Sequence, residues 1–273
     1  MCRAGGRRCP SHADPTAVAE RNKRRREQYA ASVGRTPQQT IEQATATSTI
    51  TAQQTEYFKD SKAIKDGNLI TLYHGSSHEF TSFNPETLGK GNDSWGNGFY
   101  FTDQQHVAEG YAADSKSETA NVKNFYLNLT NPMYADGKEN MSLNHVTFTS
   151  KQAAAILRQH PDAYIQPDDE EGNMSFLGDY SETYWDKTTH TQAEMEKMID
   201  EVAKQHFSNA SWTELESLFG KDHGSAFLHA MHKETGHDGL IVDFGEDGKH
   251  YVAWFPEQMK LTTNGNPTNN NEF

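Results

Sequence analysis

Strand-forming segments stand at both ends of the body of this chain and helix-forming segments lie between them, with no regular strand and helix alternation. That order argues for an α+β fold. Near the front, Leu69–His74 is β-branched and apolar and stops at Gly75, Phe99–Thr102 follows a Gly/Asn/Ser-rich loop from Gly89 to Gly98, and Val122–Leu129 alternates before Asn131-Pro132. Near the end, Leu240–Val242 and Tyr251–Phe255 are joined by Asp243–Lys249, with Asp-Gly turn signals at 238/239 and 247/248. Helical spacing predicts helices over Glu56–Lys65, from Gln104 past Tyr111 with Asp103 as cap, over Lys151–His160 capped by Ser150, and near Thr191–Phe207. Two more follow, one opened by a Ser211/Glu214 capping box and one over Ala226–Lys233 stopped by Gly236. Pro161 to His190 is polar and acidic with weak periodicity, and is expected to form loops and short elements.

Charge divides the chain. Residues 1–35 hold nine Lys/Arg and three Asp/Glu, a balance of +6, so the remaining 16 basic and 35 acidic residues, −19, bring the total to −13. Residues 1–53, built around Arg21-Asn22-Lys23-Arg24-Arg25-Arg26 and a polar Thr/Gln/Ala stretch, read as a basic arm, mobile or partly helical, residues 54–265 as the folded domain and residues 266–273 as a flexible Asn-rich end. An acidic body repels phosphate backbones, so any contact with nucleic acid is expected from the arm. Both cysteines, Cys2 and Cys9, lie in the arm, which leaves the body without a disulfide and dependent on its core. With His12 they supply three candidate ligands but no fourth, so no metal is expected. The lack of a long apolar run or a secretory signal points to a cytoplasmic protein without a membrane contact.

The most chemically specific segment is Gly98-Phe99-Tyr100-Phe101-Thr102-Asp103-Gln104-Gln105-His106-Val107-Ala108-Glu109-Gly110-Tyr111, downstream of Tyr73-His74-Gly75-Ser76. An aromatic on a strand and a second on the following helix can hold a flat ring such as nicotinamide between two faces, with stacking adding about 0.5–1.5 kcal/mol beyond burial. This reads as a site for NAD.

Taken in order, Leu72-Tyr73-His74-Gly75-Ser76, the Tyr100–Tyr111 segment, His237-Asp238-Gly239-Leu240-Ile241-Val242 and Tyr251-Val252-Ala253-Trp254-Phe255-Pro256-Glu257-Gln258-Met259-Lys260 resemble the ADP-ribosyltransferase superfamily, His-Tyr-Glu group. The resemblance is closest to the domains found in phage and prophage polyvalent proteins. It implies a split antiparallel β-sheet core with a helical insertion, and NAD as co-substrate. It implies that His74 bonds the adenosine ribose, that the Gly75 backbone holds the carboxamide beside Ser76, and that Tyr100 and Tyr111 sandwich the ring. Ala108 stands where several relatives carry a serine that donates to the carboxamide, a loss of about 0.5–1.5 kcal/mol. The larger departure is His250, which occupies the position of the family's catalytic glutamate, immediately before Tyr251-Val252. A neutral imidazole can accept the ribose hydroxyl but carries no negative charge. Glu246 and Glu257 are the nearby carboxylates in sequence.

These features imply an NAD-dependent mono-ADP-ribosyltransferase of bacterial or phage origin, a toxin or effector that modifies a protein or nucleic-acid target and releases nicotinamide. A catalytically silent NAD-binding or interaction module, or an NAD glycohydrolase, is the alternative that His250 leaves open. His223, His229, His232 and His237 have the wrong spacing for a helical zinc motif and read as polar helix faces. Trp95 stands in the loop as a cover for bound NAD or an anchor for a target.

Overall fold

A capping box opens the described part of the chain. In the computed structural model, which describes residues 50–88, 95–113, 121–140, 142–159, 165–167, 174–176, 184–185, 192–220 and 222–273, the Thr51 hydroxyl accepts from the Gln54 amide, and the Gln54 side chain accepts from the Thr51 amide. This closes the first turn of α1 (Ala52–Tyr57). The helix expected over Glu56–Lys65 is not formed. Ile64–Lys65 (β1) and Asn68–Leu69 (β2) pair as a hairpin, with Asp66 and Gly67 at φ 51° and 78° in its turn. Asp-Gly favours that two-residue turn, and the hairpin prevails over helical spacing.

The chain continues through β3 (Leu72–Ser76), β4 (Phe99–Thr102), α2 (Gln105–Ala113), β5 (Asn121–Leu127) and β6 (Met133–Asp136). The insertion follows, with β7 (Thr147–Phe148) and α3 (Ser150–Arg158), whose cap is Thr149 rather than Ser150. In the polar stretch, β8 (Ile165–Pro167), β9 (Met174–Phe176) and β10 (Tyr184–Trp185) form a small sheet. Then come α4 (Gln192–His206), β11 (Ala210–Ser211), α5 (Trp212–Phe219) and α6 (Gly224–Thr235), the last closed by Gly236 in the left-handed region at φ 74°. Strands β12 (Gly239–Asp243), β13 (Lys249–Ala253) and β14 (Met259–Leu261) return to the first sheet.

That sheet has the order β14-β5-β3-β4-β13-β12-β6, with β6 and β12 parallel and the other pairs antiparallel. N-terminal and C-terminal strands interleave, so neither end of the body can bury its apolar faces without the other. On one face, Leu72, Phe125, Phe99, Phe101 and Tyr251 are buried, and Phe83 lies within 5.0–5.6 Å of the Phe99, Phe101 and Phe125 rings. The other face carries α2 and part of the insertion, with Trp212 of α5 5.6 Å from Trp254 just after β13.

Two family-like motifs serve this framework. The Asp238 carboxylate accepts from the Thr130 amide and hydroxyl and the Asn131 amide. Gly239 then begins β12, paired with Ala253, rather than closing a turn, and a side chain there would press on the Val252 carbonyl, 2.6 Å from its Cβ. The buried Gln258 side chain accepts from the Trp254 and Phe255 amides and donates to the carbonyls of Asp238 and Asn128, tying β5, β12 and β13 together.

The Asn-rich end, expected to be flexible, is held in place. Lys260, fully buried, donates to the Asn270 carbonyl at 2.5 Å, the Asn270 side chain at 3.2 Å and the Glu272 carbonyl at 2.6 Å. The Phe273 ring lies 5.3–5.5 Å from Phe80, Phe83 and Phe125. An ammonium without water needs such a set of acceptors, which draws the segment onto the body. Among the described residues no helix is long and apolar enough to cross a membrane. The basic arm up to residue 49, with Cys2, Cys9 and His12, lies outside the described residues, as does loop segment 89–94.

Candidate active site

Strand β3 sets the centre of the site by leaving its neighbour. It pairs with β5 along all five residues, from Leu72 opposite Phe125 to Ser76 opposite Asn121, yet meets β4 in one register pair, Tyr73 opposite Thr102. His74 fills the divergence. Its Nδ1–H donates to the Tyr100 carbonyl at 2.7 Å, which fixes the tautomer and leaves Nε2 as an acceptor. The ring is packed 5.1–5.3 Å from Phe80, Phe83 and Phe101. Burial among these rings pushes its pKa below the usual histidine value, against the opposing pull of the Tyr100 carbonyl.

Gly75, on the opposite face from His74, is where α2 comes down on the sheet. Any side chain at this position would overlap the Ala108 carbonyl oxygen, so only glycine permits the approach. Ala108 is 1% exposed and lies in that contact. One turn further along α2, Tyr111 is 57% exposed with its ring free of the core. Tyr100 points to the same face as Gly75. It is half-buried, and its hydroxyl donates to the Gly96 carbonyl at 2.5 Å and accepts from the Trp95 amide at 3.2 Å. Ser76 is committed locally, donating to the His78 carbonyl and accepting from the His78 amide.

His250 reaches this face through the sheet register. Thr102 lies opposite both Tyr73 and His250, so Tyr73, Thr102 and His250 form one cross-strand row. Phe244 covers the imidazole, with ring centroids 4.7 Å apart, and Trp95 packs behind Phe244 at 6.0 Å. Burial pushes the His250 pKa down and the Asp103 carboxylate partly restores it. Among the described residues neither ring nitrogen of His250 has a hydrogen-bond partner. A half-buried neutral imidazole with both nitrogens uncommitted can donate to or accept from a ligand hydroxyl.

The carboxylates near His250 are differently placed. Glu246 sits on the exposed turn Gly245–Asp247. Glu257 lies beyond the far end of β13, several strand residues of about 3.3 Å rise from His250. Asp103, expected to cap α2, instead accepts from the Lys249 amide at 2.9 Å and from the Gln104 side chain at 3.2 Å, which pins the start of β13 beside His250. Asp103 and Phe244 were missed as neighbours of the site because only strand pairing brings 103 and 244 to 250. Trp95 is 6% exposed, so it cannot be a surface anchor for a target.

His229, His232 and His237 have structural partners. His229 stacks on Phe255 at 4.9 Å, the His232 ring donates to the His237 carbonyl and the His237 ring to the Asn131 carbonyl. Among the described residues no group of three or more His, Cys, Asp or Glu could hold a metal ion.

The sequence matches the ADP-ribosyltransferase family of polyvalent proteins over residues 65–269, and the chain belongs to that family. No curated protein and no solved structure matches it.

Proposed function

We propose that the chain is a mono-ADP-ribosyltransferase that takes NAD at the β3–β4 divergence and modifies a host macromolecule, as a bacterial or phage toxin or effector. The observation that carries this reading is the β3–β4 divergence itself, bridged by the His74 bond to the Tyr100 carbonyl, with Gly75 and Tyr100 on the opposite face of the sheet and Gly75 under α2, the helix that carries the exposed Tyr111. His74 Nε2 accepts from an adenosine ribose hydroxyl, the Gly75 backbone meets the carboxamide, and nicotinamide lies between the two tyrosines. Cleavage breaks the bond between the ribose anomeric carbon and the nicotinamide nitrogen, and the electron pair leaves with nicotinamide, which becomes neutral. A nucleophile of the target bonds the anomeric carbon and its proton passes to water or a nearby base. Neutral His250 accepts from the ribose 2′-hydroxyl in place of the glutamate.

Without that carboxylate, the developing positive charge on the ribose is less stabilised, which favours single transfer over chain elongation. The basic arm would deliver the acidic body to an anionic target.

The test is incubation of the purified chain with labelled NAD and a bacterial lysate, beside the His74→Ala/Tyr111→Ala double variant, following free nicotinamide and label on macromolecules. Label that depends on the two residues supports the transferase. Nicotinamide without label indicates a glycohydrolase. Neither signal, with NAD still bound, indicates the silent module that the exchange of glutamate for His250 also suits.

A further inference from the structure

The turn that holds the Tyr100 hydroxyl is anchored from outside the sheet. Glu216, on α5 of the helical insertion, accepts from the Asn97 amide at 2.7 Å. Residue 96 of the same turn receives the Tyr100 hydroxyl and residue 95 donates to it, so one carboxylate and one phenol grip three consecutive residues. The turn has no slack. Gly96 is at φ 81°, and a Cβ there would lie 2.8 Å from Trp212 Nε1 and 3.3 Å from both Glu216 Oε1 and Leu143 Cδ1. Asn97 is 5% exposed, and its side chain lies beside Gly224 at the start of α6. Trp212 Nε1 is itself buried without an acceptor. The Glu216 carboxylate bonds the Asn97 amide while the neighbouring Trp212 N–H stays unpaired, and the bond it makes is charge-assisted, about twice as strong as a neutral one.

We infer that Glu216 is a positioning residue for the Tyr100 ring, so that the insertion sets NAD affinity through the Trp95–Gly98 turn. The inference rests on the transferase reading. A tyrosine ring on a strand can still tilt about its side-chain torsions, and here the hydroxyl at its far end is fixed by the turn. With Glu216 gone, the turn loses its tie to α5 and the hydroxyl loses a fixed partner. Ring stacking contributes equally to bound NAD and to the transition state, so the effect falls on binding rather than on the chemical step.

The experiment compares wild type with Glu216→Ala, Glu216→Gln and, as a destabilised control on the same helix away from the turn, Leu218→Ala. NAD titration gives affinity, nicotinamide release gives KM and kcat, and hydrogen exchange follows the peptide containing Asn97. Expected for Glu216→Ala is a roughly tenfold rise in Kd and KM for NAD, with kcat within about twofold and faster exchange at Asn97. Glu216→Gln, which keeps an acceptor oxygen, should fall between it and wild type. Wild-type affinity in Glu216→Ala, or an equal loss in Leu218→Ala, would overturn the role. If Glu216→Ala fails to fold, Glu216→Gln decides by the same measurements, and unchanged affinity there overturns it. A wild type without NAD affinity would overturn the transferase reading and the positioning role together. Slow Asn97 exchange in Glu216→Ala beside normal NAD binding in the wild type would overturn the positioning role alone.

Discussion

Two histidines of the site are held neutral by the same cause and used differently. The His74 ring spends its one proton on the Tyr100 carbonyl, whereas His250 has no protein partner among the described residues and is covered by Phe244. Both pKa values lie below that of a free histidine because the charged form is desolvated. The unfolded chain therefore binds more protons than the folded one once pH drops below the free value of about 6.5. Stability contributed by keeping these rings neutral is present above that pH and is lost as pH falls toward the folded values. Melting temperatures measured from pH 8 to pH 5 should decline through this window, and His250→Gln should make the decline shallower. His250→Glu should increase transfer from NAD. An unchanged rate would direct attention to Asp103, whose carboxylate acts on the same ring. Tyr111→Ala should weaken NAD binding about tenfold with an unchanged melt, because its ring is exposed and contributes stacking to the ligand rather than burial to the core. Equal cofactor affinity in wild type and variant would remove Tyr111 from the site. The types and positions of these residues were legible in the sequence. The cover by Phe244 was not, since nothing in a Phe-Gly turn indicates which ring it will meet.

At the scale of elements, the contact between α2 and β3 carries the site. Gly75→Ala would drive a methyl group into the Ala108 carbonyl and lift the helix. Overpacking of this kind costs about 1–3 kcal/mol, so a lower melting temperature should accompany loss of NAD binding, and a variant with wild-type stability would show that α2 can move freely. Strands β4, β5 and β12 and helices α2, α4 and α6 follow their sequence patterns closely because long periodic segments dominate local preference. The hairpin at Ile64–Leu69 and the short strand β6 do not. Turn chemistry decides the first, and β6 exists through its parallel pairing with β12, more than a hundred residues away. Asp103 and Asp238 show the same limit: each has a local role open to it as a cap or turn residue, and each is drawn to backbone amides that only tertiary packing supplies.

The whole molecule joins an acidic body to a basic arm and packs residues 270–273 against Lys260 and the Phe80, Phe83 and Phe125 rings. Binding to an anionic polymer should weaken steeply with salt in the full chain. A chain without residues 1–35 should lose both affinity and salt slope, as titrations at several ionic strengths would reveal. At the other end, Lys260→Met removes the donor that holds Asn270 and Glu272, and should free the C-terminal segment to proteolysis while the sheet persists. A segment as resistant as in wild type would mean that Phe273 and its ring neighbours suffice. The sequence by itself determined the α+β class, the family and the charge division, because periodicity, motif order and composition are properties of neighbours along the chain, and it supplied the candidate residues for the proposed NAD site. Only the tertiary structure decided that β3 and β4 diverge, that α2 rests on Gly75, that His250 joins the row of Tyr73 and Thr102, and that Glu216 holds the turn behind Tyr100. Those are contacts between segments far apart in the chain, and their partners are chosen by strand register and close packing.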